Sequence, residues 1–265
     1  MDPVPERAGS GRDRRRPPIA ACLGGGGAFG IGFNMGVTRA LTVAGIPVGS
    51  GPMLGTSAGA WTAAALAVDL DLTDILHSWS QAPTEGKARV IDLTRPLFEN
   101  ARDARVSTVA IRIPRPYPMI LSGTDHDLAD LVAASSSPPR KAIAHRINGH
   151  RYIDAGILTT TSADRAPSAD LLVVVAPIAG PVLGNFGVLS ERMVVLELMR
   201  WRVTGGRVLF IRPDRAVGAL AGTKVKDVLD PTIAEPTYQA AYELGARCAE
   251  RFQQRHPRLA QHIAG

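Results

Sequence analysis

The chain has 265 residues, of which 45% are hydrophobic and 20% charged, with two cysteines and a net charge of +6. That balance excludes a disordered polyelectrolyte, and two isolated thiols exclude both a disulfide scaffold and a cysteine metal site. The positive charge favours anionic partners such as an acidic lipid surface. No aromatics are interleaved with the basic residues in a nucleic-acid-binding pattern, so no nucleic acid is expected.

Residues 1–17 form a basic arm with Arg7, Arg12, Arg14, Arg15 and Arg16, and no apolar stretch follows directly. We read it as a disordered tail, with a tether to an anionic membrane as the second reading, and 18–265 as a single domain. No secretory signal pattern is visible, and the expected location is cytoplasmic with peripheral membrane contact. The uncharged stretches Pro17–Thr38, Ala40–Val68 and Leu171–Leu189 are long enough to span a bilayer, but Gly and Pro interrupt them. They read as strand–loop–helix units of a buried core.

Ile19–Leu23 is a short buried strand that runs into four glycines, and a helix is expected from Phe29 to Ala44, ended by Gly45. Met53-Leu54 is a second strand, followed by an Ala-rich helix to about Val68 and another helix over Asp71–Ser80. Pro83–Gly123 carries five prolines and reads as irregular, a lid or substrate-facing cap. A helix is expected over Asp125–Ser135, and a hairpin over His145–Ile153 around Asn148-Gly149. Then come a strand at Leu171–Val175, a helix at Leu189–Val203, a strand at Arg207–Arg212 and a helix at Pro236–Phe252. Strands alternating with helices predict an α/β fold, a mostly parallel sheet covered on both faces.

Three short motifs carry chemistry. Gly55-Thr56-Ser57-Ala58-Gly59 fits G-x-S-x-G between a strand and a helix, the setting of a nucleophile elbow. Its bland alternative is a glycine turn with Ser57 as a helix N-cap. Gly24–Gly30 also joins a strand to a helix, and its bare backbone N–H groups can converge on an anion. The same glycines fit a dinucleotide fingerprint, but Ala40–Val68 contains no Asp or Glu where that fingerprint needs one, and no cofactor is expected. The third motif, Asp154-Ala155-Gly156, ends the second arm of the hairpin. Alone it is a turn aspartate.

In order and approximate spacing, Gly25-Gly26-Gly27-Ala28-Phe29-Gly30, Gly55-Thr56-Ser57-Ala58-Gly59 and Asp154-Ala155-Gly156 resemble the three motifs of patatin-like phospholipases. Leu128-Ala129-Asp130, Ala134-Ser135-Ser136 and Gly149–Asp154 resemble that family's approach to its aspartate. The resemblance covers roughly residues 19 to 175. It implies a three-layer α/β/α fold and lipid acyl hydrolysis by a Ser–Asp dyad without histidine. Carried over, Ser57 is the nucleophile, Asp154 the base, and Gly25, Gly26 and Gly27 the oxyanion N–H donors. The substrate is a lipid or other acyl ester. An Asp at its reference pKa of roughly 3.9 is a poor base for a hydroxyl, and burial raises that value.

The sequence departs from the family pattern in three places. Phe29 stands where a basic residue is usual, Ser137-Pro138-Pro139-Arg140 lacks the usual apolar residues, and Thr159-Thr160-Thr161-Ser162 replaces an Asn-Pro-Val-like segment. Two alternatives follow: acyl transfer from Ser57 to an acceptor other than water, with His126 as base, and a catalytically silent lipid-binding module. No metal is expected, since none of the six histidines has metal-ligand spacing. His126 and His150 read as loop residues, with substrate contact as the second reading.

Overall fold

A computed structural model describes residues 16–82, 87–114, 116–139, 141–204 and 206–264. Most of the expected basic arm, together with Pro83 and Arg140, lies outside them. In chain order the elements are β1 (Ile19–Leu23), α1 (Gly27–Val43), β2 (Met53–Gly55), α2 (Ala58–Val68), α3 (Leu72–Ser80) and α4 (Val90–Phe98). There follow β3 (Val106–Ile113), β4 (Tyr117–Ser122), α5 (Leu128–Ser135), β5 (His145–Ile147), β6 (His150–Asp154) and β7 (Leu171–Val175). The chain closes with α6 (Asn185–Trp201), β8 (Arg207–Ile211), α7 (Arg215–Ala219), α8 (Ala234–Arg255) and α9 (Pro257–Ala264).

The eight strands form one sheet in the order β5-β6-β3-β2-β1-β7-β8, with β4 also paired to β3. The pairs β3–β2, β2–β1, β1–β7 and β7–β8 are parallel, and the pairs β3–β4, β3–β6 and β5–β6 are antiparallel. Strands β1 and β7 are buried along their whole length, as central strands covered on both faces must be.

Successive strand residues point to opposite faces and so divide the core in two. Ile19, Ala21, Leu23, Val173 and Val175 join a large core with side chains from α1, α2, α3, α5 and α8. Ala20, Cys22, Leu172 and Val174 join a smaller one whose helical cover is α6, through Val194, Leu198 and Trp201. The fold is therefore three-layered α/β/α, thick on one side and one helix deep on the other. No helix among the described residues is long and apolar enough to cross a membrane.

The expectation for 83–123 is corrected. Instead of an irregular cap, the segment holds α4 and the hairpin β3–β4, and β3 lies inside the sheet. Of its described prolines, Pro114, Pro116 and Pro118 fall at element ends and on the outer strand, and Pro96 sits inside α4. Five of the eight β3 residues are β-branched (Val106, Thr108, Val109, Ile111 and Ile113), and burial on a pleated surface outweighs the breakers around them. The hairpin expected at Asn148-Gly149 is present. Both residues have positive φ, 49° and 79°, as a type I′ turn requires.

Candidate active site

Strand β3 is the template on which the site is assembled. Strand β4 pairs with Ser107–Arg112 along one of its edges, so β2 and β6 share the other. On that edge β2 ends with Gly55 opposite Thr108, and β6 arrives from the opposite direction and ends with Asp154 opposite Ala110. Those two rungs are two residues apart, about 7 Å along a strand. The loops that leave them, at Ser57 and at Asp154-Ala155-Gly156, meet above that gap.

Ser57 takes φ 51° and ψ −116°, a strained conformation for a residue with a side chain, at the N-terminus of α2. Its hydroxyl caps nothing in the helix. Instead Ser57 Oγ donates to Asp154 Oδ2 at 2.7 Å. This excludes the N-cap reading. The turn is tight because α2 starts directly against the end of β1: a Cβ on Gly59 would overlap the carbonyl oxygen of Leu23.

Asp154 is buried, with 7% of its surface exposed. Its other oxygen, Oδ1, accepts the Gly156 N–H at 2.7 Å. Burial pushes its pKa up from 3.8 to about 6. The hydrogen bonds from Ser57 and Gly156 pull the other way without cancelling it. The carboxyl is thus a far better proton acceptor than an exposed aspartate.

The end of α5 supports both halves of this pair. Ser135 Oγ accepts the Ser57 N–H at 2.9 Å and donates to the Val109 carbonyl of β3 at 2.7 Å. Two residues on, the Ser137 carbonyl accepts the Asp154 N–H at 3.0 Å. No chemical motif marks these serines; the Ala134-Ser135-Ser136 similarity was the one signal that pointed to them. In the Ser137–Arg140 segment, the Ser137 hydroxyl donates to Ala133 O at 2.7 Å and closes the end of α5.

The glycine loop lies beside Ser57. Gly26 and Gly27 have φ of 148° and 59°, and a Cβ on Gly27 would stand 2.6 Å from the Val228 carbonyl oxygen. Among the described residues, no hydrogen bond takes up the N–H of Gly26, Gly27 or Ala58. Gly25 differs. Its N–H donates to the Thr160 carbonyl at 2.8 Å, which removes it from the expected set of free donors. Its part is steric, since a Cβ there would meet Ser57 Cβ at 3.3 Å. The N–H of Ala58, the residue after the serine, takes its place among the free donors, and the motif carried that signal. Asn34 of α1 pins the loop by donating from Nδ2 to Gly24 O at 2.8 Å.

The other departures have structural roles. Phe29 is fully buried and stacks on Phe33 with ring centroids 6.1 Å apart, so it fills core. The Thr-rich segment ties the glycine loop to α6. Thr160 O holds Gly25, and Thr160 Oγ1 and Ser190 Oγ are 2.7 Å apart. Thr159 Oγ1 donates to Glu197 Oε1 at 2.8 Å, and the Ala163 N–H donates to Oε2 at 2.8 Å. Burial raises the Glu197 pKa against these two bonds.

Among the described residues, the Ser57 side chain has Asp154 as its hydrogen-bond partner and no histidine. Among the described residues, His126 and His150 make no hydrogen bond to either residue, and His145 pairs with Asp130 at 2.9 Å. Two surface clefts, one around Thr38, Arg39 and Tyr238 and one around Arg95 and His145, do not include Ser57 or Asp154.

No family model matches the chain, and no curated protein matches it. Among solved structures, the crystal structure of VipD from Legionella pneumophila is similar at 14% identity with a TM-score of 0.45. The match covers 89% of this chain and 67% of that one.

Proposed function

We propose that the chain is a serine esterase that cleaves carboxylic ester bonds of lipids or related acyl esters, as its motif resemblance to patatin-like phospholipases implies. The observation that carries this reading is the 2.7 Å bond from Ser57 Oγ to a buried Asp154 whose pKa is raised to about 6. Asp154 Oδ2 takes the Ser57 proton as Oγ attacks the ester carbonyl carbon. The carbonyl oxygen becomes an oxyanion, which the N–H groups of Gly26, Gly27 and Ala58 and the N-terminus of α2 stabilise. Collapse expels the alcohol, which takes its proton from Asp154. Water, activated by Asp154, then releases the acid and restores Ser57.

A carboxylate with pKa near 6 is mostly ionised at pH 7 yet basic enough to share a proton with a hydroxyl. The bare amides supply the rest of the acceleration; one such donor is worth about 100- to 1,000-fold in rate in comparable sites. Hydrolysis of short p-nitrophenyl acyl esters by purified protein tests the proposal. Turnover in wild type that vanishes in Ser57→Ala is the expected result. Equal turnover in both proteins removes Ser57 from the chemistry.

A further inference from the structure

Among the described residues, α6 carries more exposed large apolar side chains than any other helix. Phe186, Leu189, Met193, Leu196 and Met199 all point to solvent, with Leu189 57% and Met199 60% exposed. Val203 continues the face just beyond the helix. An ordinary surface helix hides such residues against the core, and α6 already does so with Val194, Leu198 and Trp201. The outer stripe is additional to that packing.

The charges on α6 are one-sided. Its two acids are spoken for: Glu191 pairs with Arg212 at 2.7 Å, and Glu197 is buried beneath Thr159 and Ala163. Arg192 stands exposed amid the apolar residues, and Arg200 and Arg202 flank them. Arg200 reaches Asp164 only at 3.8 Å and keeps 75% of its side chain exposed. Exposed leucines and methionines with arginine as the free charge are the composition of a helix that lies in a membrane interface, apolar side chains among the acyl chains and cations at the phosphates.

The face is also joined to the site. Leu158, 57% exposed, stands four residues after Asp154. The next two residues, Thr159 and Thr160, bond to Glu197 and Ser190 of α6, and Thr160 holds Gly25 of the glycine loop. We propose that α6, with Leu158, docks this protein on the surface of an anionic lipid bilayer, on the side of the molecule where the Thr159–Thr160 segment ties α6 to the glycine loop beside Ser57. This rests on the lipid-ester reading of the site and extends it to how the substrate is reached. A second copy of the chain suits the face less well, because an isologous contact through it buries two copies of Arg192 while both acids of α6 are already engaged.

Vesicle sedimentation tests the proposal, with Ser57→Ala protein so that binding is measured apart from turnover. Vesicles of phosphatidylcholine with one-third phosphatidylglycerol are expected to carry the protein down, and pure phosphatidylcholine far less. Raised salt weakens the partition. The double variant Leu189→Glu/Leu196→Glu, and Met193→Glu alone, are expected to bind about tenfold or more weakly. Both are expected to keep wild-type melting and, with Ser57 present, wild-type hydrolysis of a soluble short-chain ester. Failure of the Ser57→Ala protein to sediment with anionic vesicles overturns the inference, as does undiminished binding by both variants. A micromolar dimer that either variant dissolves also overturns it and makes the face a self-interface. Absent ester hydrolysis with intact vesicle binding counts against the esterase proposal and leaves the docking surface standing.

Discussion

Replacing Asp154 with Asn is expected to stabilise the fold while abolishing hydrolysis. The carboxyl is buried, and its two hydrogen bonds do not offset the loss of water, so its pKa stands at about 6 instead of 3.8. The folded protein therefore holds that proton more tightly than the unfolded chain does. Below about pH 4 the group is neutral in both states and costs nothing. Between pH 4 and 6 the unfolded chain ionises first and stability falls, and above about pH 6 the penalty is complete. A rise of about 2.2 pH units at about 1.4 kcal/mol each makes that penalty about 3 kcal/mol. Asn carries no charge and can keep both contacts, with Oδ1 accepting from Gly156 and Nδ2 donating to Ser57 Oγ. Calorimetric melting of wild type and variant from pH 4 to pH 8 reads the difference. The two should melt together at pH 4, and at pH 8 the variant should melt higher by about 6–12 °C. Ester hydrolysis should drop by about 100-fold or more with the base gone. A gap in melting temperature that does not grow with pH, or a variant less stable at pH 8, would refute the buried-carboxylate argument.

Four further outcomes follow from the same geometry. The kcat/KM of wild type should rise about tenfold per pH unit below pH 6 and level off above pH 7, because the ionised form of Asp154 is the one that accepts the proton; a flat profile from pH 5 to pH 8 contradicts this. Gly59→Ala forces a methyl onto the Leu23 carbonyl and should cost about 1–3 kcal/mol or more in urea unfolding. Ser135→Ala leaves the Ser57 N–H and the Val109 carbonyl unpaired, costing about 1–3 kcal/mol, and should lower kcat more than it raises KM. Thr159→Val strands Glu197 Oε1 and should destabilise by a similar amount, read by thermal melting.

Much of the fold was legible because hydrophobic period and glycine punctuation agree along most of the chain. Ile19–Leu23 and Leu171–Val175 were read to the residue, since continuous apolar runs bounded by turns leave little choice. Strand β3 was missed: the count of neighbouring prolines outweighed its β-branched residues. That single error hid the mechanism of assembly, because β3 is the strand that sets Gly55 and Asp154 two rungs apart. The Ser57–Asp154 hydrogen bond was expected only from the resemblance of the three ordered motifs to patatin-like phospholipases. What local sequence could not show was the loss of Gly25 as a free donor, which depends on a carbonyl 135 residues away, at Thr160. The burial that raises the Asp154 pKa is likewise a property of packing.

The most direct measurement is covalent labelling with a fluorophosphonate, followed by mass mapping of the modified peptide. A single adduct on Ser57 is predicted, forming faster as pH rises through about 6 and forming far more slowly in Asp154→Asn. An adduct on another residue, or labelling of Ser57→Ala at the wild-type rate, contradicts a serine activated by a buried carboxylate.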